Sequence, residues 1–133
     1  MKKNKMGDIT LKTRLKTKEQ EQEGILYFDT GLPETFIRED KANELGNIMK
    51  LPQPVEFNAL GDGKFHCNAV IQLYVKLEDV WCRHLCYVAS IKDIDTEILI
   101  GHDFMQKFDI NLNVKKRQVI INQKSLLMAQ RIR

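Results

Sequence analysis

The sequence predicts an all-β domain carrying one or two short helices. Three observations point there. Short apolar runs rich in β-branched and aromatic residues recur between Gly, Pro and charged punctuation, as at 24–28, 65–77, 80–90 and 97–101. Apolar and polar residues alternate on both sides of Gly61-Asp62-Gly63, a strong hairpin signal. Only 38–45 and 102–108 have the composition of helices. A length of 133 residues fits a single domain, expected to bury roughly 65% of its unfolded surface.

In chain order, residues 9–15 alternate crudely and suit an edge strand, followed by a polar turn from Lys18 to Gly24. Gly24 to Phe28 reads as a buried strand, Asp29-Thr30-Gly31 as a turn, and Thr35 to Ile37 as extended again. Arg38 to Leu45 is helical and stops at Gly46. Pro52 and Pro54 interrupt any continuation, leaving Val55 to Leu60 as the strand that enters the hairpin. Phe65 to Leu77 is one long strand, Glu78-Asp79 a turn, and Val80 to Ser90 the return. Glu97 to Gly101 is a short buried strand, His102 to Phe108 two helical turns, and 110–121 a last hairpin around Lys115-Lys116-Arg117. The domain therefore spans 9–122, with a basic tail at 1–8 and a basic tail or interface segment, strand, helix or free, at 123–133.

The formal charge of +3 is unevenly spread. Residues 1–18 hold seven Lys or Arg against Asp8, residues 115–133 hold six against none, and the middle, with eight basic and seventeen acidic residues, stands at −9. Such ends read as solvated tails, and without interleaved aromatics no nucleic-acid partner is expected. No run approaches the ~20 apolar residues of a membrane span, so no membrane partner is expected either. Cys67, Cys82 and Cys86, an odd number, argue for a reducing compartment such as the cytoplasm rather than a disulfide framework.

The chemistry concentrates at FDTGLPETFI, residues 28–37. An aspartate at the inner end of an apolar strand has to be hydrogen-bonded, paired or chemically used, because burying a carboxylate without compensation costs several kcal/mol. A purely structural turn, with Asp29 accepting nearby amides, is the bland alternative. Asp29-Thr30-Gly31, the glycine-tipped hairpin and Ile98-Leu99-Ile100-Gly101 followed by a short helix are each weak signals, but their order and spacing are far more specific.

Together they resemble the retropepsins, the retroviral-type aspartic proteases, and their relatives in LTR retrotransposons and ubiquitin-shuttle proteins, over most of the chain from Ile9 to Ile121. FDTGLPETFI is similar to the family's catalytic loop, ALGDGKF to its flap tip, and ILIGHDFMQKFDINLN to its closing strand, helix and final strand. The resemblance implies a small closed β-barrel-like protomer that works as a homodimer and needs neither cofactor nor metal. Asp29 of each subunit would form the catalytic pair, with Thr30 bracing the loop and Gly31 letting the backbone turn. An extended peptide or polyprotein substrate would meet Leu32, Pro33, Leu60, Gly61, Asp62, Gly63, Ile98 and Ile100, with Phe36 nearby. If the chain comes from a retroelement, the compartment is a virus-like particle.

The sequence departs from the family at Pro33 and Glu34, and at His102, where viral members commonly carry Arg. Both ends of the usual Arg–acid brace are changed together, which implies a divergent brace. The rival readings are a non-catalytic peptide-binding module on the same fold, a nucleic-acid-associated domain using the basic ends, and a zinc site. In the last, Cys82, His84 and Cys86 would share a strand face, with His66 or Cys67 as fourth ligand. Zinc ligands usually come in pairs on tight turns, whereas strand cysteines are mostly small buried hydrophobes. The acids of 93–97 lack the glycine and terminal glutamate of a calcium loop.

Overall fold

A computed structural model describes residues 8–58 and 63–131, with side chains to 129. The elements are β1 (Ile9–Lys16), β2 (Glu21–Phe28), β3 (Phe36–Arg38), α1 (Glu39–Leu45), β4 (Ile48–Asn58), β5 (Lys64–Leu77), β6 (Val80–Ala89), β7 (Ile98–Ile100), α2 (His102–Lys107), β8 (Asn111–Asn113), β9 (Gln118–Ile120) and α3 (Gln123–Arg131). Strands run in the order β1-β2-β7-β3-β6-β5-β4, and β1 also pairs with β5. Six strands thus close into a barrel, while β4 hangs outside on β5 and β8–β9 form a separate two-stranded sheet. The expected small closed β-barrel is the observed fold, with a third helix added.

β1 is not an edge strand: it pairs with β2 along its length and with β5 at Leu15↔Val75 and Lys16↔Tyr74, which seals the barrel. The turn between β5 and β6 has positive φ at both Glu78 (48°) and Asp79 (65°), the backbone of a tight hairpin whose twist matches its strands. Pro52 and Pro54 do not end a strand as expected. β4 runs from Ile48 through both, with its register against β5 shifted between Lys50 and Val55. An edge strand with a bulge tolerates proline because no second neighbour needs its missing N–H. α1 stops where anticipated, at Gly46 with φ 76°.

The barrel interior is the main core, where Leu15, Leu26, Ile37, Ile71, Leu73, Ile98, Ile100 and Phe104 are fully buried. α3 closes it from below by inserting Leu126, also fully buried, while Leu127 and Met128 stay exposed. A second cluster of Leu32, Phe36, Phe65, Cys67, Ala89, Ile94 and Leu99, with Tyr27, Phe57 and Tyr87 packed against it, lies between the barrel and the β4–β5 hairpin. Its rings meet edge-on, Phe36–Phe57 at 4.9 Å and Phe57–Tyr87 at 4.8 Å. Among the described residues no helix is long and apolar enough to cross a membrane.

Candidate active site

β2 and β7 run parallel, Phe28 beside Ile100, and the ladder continues one step beyond β2 as the Asp29 N–H donates to the Ile100 carbonyl at 2.9 Å. The chain then reverses at once. Asp29 Oδ1 accepts the Gly31 N–H at 2.9 Å and the Asp29 carbonyl accepts the Leu32 N–H at 3.2 Å, so the carboxylate helps fold its own turn. A Cβ on Gly31 would stand 3.2 Å from that carboxylate oxygen, so glycine suits the turn. Asp29 is half-buried, and Thr30 and Gly31 are exposed.

The start of α2 supports the loop from beneath. The His102 N–H donates to the Leu32 carbonyl at 2.7 Å and the Asp103 N–H to the Pro33 carbonyl at 3.0 Å. Gly101 is the point of closest approach: a Cβ there would collide with the Glu34 carbonyl, its carbon at 2.6 Å, and with the Leu32 oxygen at 2.9 Å. Thr35, fully buried, accepts the Gly101 N–H on its hydroxyl at 3.0 Å and donates to Asp103 Oδ1 at 2.7 Å. His84 Nε2 lies 2.8 Å from Asp103 Oδ2. The departures at Pro33, Glu34 and His102 are thus met by a different brace, built from Thr35, Asp103 and His84.

Burial works against the Asp103 carboxylate, yet the hydrogen bonds from His84 and Thr35 outweigh it and hold its pKa below the ordinary 3.8. Glu34 moves the other way. Desolvation, then the neighbouring Asp103 charge, raises it above 4.5. The two carboxyls therefore titrate apart, with a window in which Asp103 is ionised and Glu34 protonated.

The expected substrate contacts divide. Leu32 is buried in the second cluster beside Phe36, Pro33 is exposed next to it, and Gly63 is exposed at the described end of the hairpin. Leu60, Gly61 and Asp62 lie outside the described residues. Ile98 and Ile100 need correction, because both side chains are sealed in the barrel core with no exposed area. The alternate residue of β7, Leu99, faces the second cluster instead and sits opposite Tyr27, two residues before Asp29. Strand parity fixes this, and only the pairing of β7 with β2 reveals it.

Cys82, His84 and Cys86 do share a face of β6, all buried. The imidazole, however, is engaged by Asp103, and burial pushes the thiols of Cys67 and Cys82 up to about 12 and that of Cys86 higher still. Among the described residues no group of three His, Cys, Asp or Glu side chains is placed to hold a metal ion. Beside Thr30 opens a cleft of about 450 Å³, walled by His102, Met105, Gln106, Ile110, Leu112 and Val114.

No family model matches the chain and no curated protein matches it in sequence. Solved structures do match in fold. The retroviral protease-like domain of Ddi1 from Leishmania major superposes with a TM-score of 0.63 at 19% identity, covering 85% of this chain and 88% of that one. The EIAV protease complexed with the inhibitor HBY-793 superposes with a TM-score of 0.55 at 15% identity, covering 85% and 99%. The chain has the retropepsin-like fold.

Proposed function

We propose that the protein is a homodimeric aspartic endopeptidase in which Asp29 of each protomer forms the catalytic pair. The observation that carries this reading is the Asp29-Thr30-Gly31 turn, set at the end of β2 on the parallel β2–β7 pair and underpinned by Gly101. Two such carboxylates meeting on a two-fold axis share one proton, because like charges at close range cannot both be kept. The ionised member takes a proton from water and its partner stabilises the oxyanion. The exposed Thr30 and the cleft beside it suit contact with a second copy. Leu32 and Leu99, each keeping a little exposed area, would floor a pocket for an apolar side chain of an extended peptide beneath the β4–β5 hairpin, with the buried Phe36 packed behind them. Three buried thiols, none in a disulfide, support a reducing compartment.

The test is cleavage of a peptide library across pH ~4 to 7 by the wild type and by Asp29→Asn, since a shared-proton pair needs one carboxyl protonated. Activity confined to the wild type is the expected result. Equal activity in both would refute the assignment, and activity in neither, from a folded dimer, would favour a peptide-binding module.

A further inference from the structure

We propose that His84 is a positioning residue for the 29–35 loop, donating from Nε2 to Asp103 and so fixing the carboxylate that holds Thr35 and, through Thr35, the Gly101 backbone. Its effect on catalysis rests on the aspartic-peptidase reading; its effect on the loop does not. A buried imidazole is most often a core histidine with both nitrogens satisfied. His84 is different: it is 9% exposed, and its Nδ1 is buried with no hydrogen-bond partner among the described residues. One nitrogen is left orphaned so that the other can reach Asp103 Oδ2 at 2.8 Å.

The orphan also sets the tautomer. Nε2 faces a carboxylate oxygen and must carry a hydrogen, while a hydrogen on Nδ1 would be buried without an acceptor, the costlier of the two unsatisfied states. The Phe104 ring packs against the imidazole at a steep angle, 74°, with the ring centroids 5.2 Å apart. With Oδ2 occupied by His84, Asp103 Oδ1 takes the Thr35 hydroxyl and the Phe104 N–H, both at 2.7 Å. Thr35 has then given its only proton to Asp103 and can only accept from Gly101 N–H, at 3.0 Å. The Gly101 N–H and the Asp103 carboxylate fix the direction of the Thr35 bonds, and His84 anchors the carboxylate on which they end, beside the separate backbone bond from the Tyr87 N–H to the Thr35 carbonyl at 3.1 Å. The other charged groups at this site are Glu34 in the loop and Lys107 on α2, whose Nζ donates to the Arg83 carbonyl at 2.9 Å.

Two measurements decide the matter without requiring proteolysis. Nitrogen-15 spectra of the full chain should show His84 with its hydrogen on Nε2; an Nδ1–H tautomer overturns the proposal. Amide hydrogen exchange should show Gly101, His102 and Asp103 opening about tenfold faster in His84→Leu than in wild type, with β1–β2 amides unchanged. His84→Gln, whose amide nitrogen substitutes for Nε2, should restore protection. Unchanged protection of the three amides in His84→Leu overturns the proposal, and if that variant loses protection throughout, the tautomer alone decides. Should the enzyme be active, kcat falls in His84→Leu with KM kept and recovers in His84→Gln. A protein that cleaves nothing yet shows the tautomer and the local exchange pattern keeps this inference and loses the peptidase reading.

Discussion

Gly101→Ala is the most informative single change in the chain. Gly101 has φ −96°, a backbone any residue adopts, so the substitution is not opposed by conformation. It is opposed by space, because the new methyl would stand 2.6 Å from the Glu34 carbonyl carbon and 2.9 Å from the Leu32 oxygen, backbone atoms that cannot rotate away. The loop has to lift. Lifting stretches the His102–Leu32 and Asp103–Pro33 hydrogen bonds, worth about 1 kcal/mol each, on top of about 1–3 kcal/mol for overpacking. The expected loss is about 3–5 kcal/mol, a large part of the ~5–15 kcal/mol that holds a domain together. Gly24→Ala is the comparison: its methyl meets the side chain of the fully buried Leu15 rather than backbone, and should cost about 1–3 kcal/mol, the overpacking part alone. Urea titrations followed by circular dichroism at one fixed protein concentration measure both. Gly101→Ala within about 1 kcal/mol of wild type would refute the claim that the loop rests on this glycine.

The paired carboxyls predict a pH dependence. Asp103, with its pKa lowered in the fold, adds stability above its ordinary 3.8 that is lost as pH falls through the lowered value. Glu34, raised in the fold, favours the native state fully below 4.5, and that advantage is lost as pH rises through the raised value. Their combined contribution is therefore greatest between about 3.8 and 4.5, and thermal scans across pH should show Glu34→Gln abolishing the decline above that window. Asp79→Gly should stabilise by about 0.5–1 kcal/mol in chemical denaturation, since glycine adopts the positive φ of 65° without strain. Thiol-specific reagents at pH 8 should leave all three cysteines of the native protein unlabelled and react with them in denaturant, because the thiols are buried and held protonated.

Local signals were readable and long-range ones were not. The β5–β6 hairpin, the stop of α1 at Gly46 and the strand–Asp29–turn sequence each depend on neighbours within a few residues. The continuation of β4 through Pro52 and Pro54 depends on its being an edge, which is a property of the sheet. Leu99 could have been preferred to Ile98 and Ile100 only by knowing that β7 lies beside β2, with Tyr27 opposite Leu99. Alternation puts His84 on one face with Cys82 and Cys86, as found, but the pattern that reveals a face is silent about Asp103 on α2, which meets it. α3 gave the weakest signal, since among its described residues Leu126 is buried in the core and Ala129 packs against it while Leu127 and Met128 face outward.

The parallel pairing of β2 with β7 joins Leu26 to Ile98, residues 72 positions apart. Contacts that span so much chain form late in folding, because the entropy of closing the intervening loop is lost before they repay it. The turn at Asp29 closes on its own local bonds but leans on β7 and α2 for its placement, so it is fixed in position only once the chain through Asp103 has been synthesised and has folded back. A nascent chain halted at the β5–β6 hairpin carries the aspartate without the scaffold that aims it, and any activity of that turn is thereby deferred until synthesis has passed the second helix.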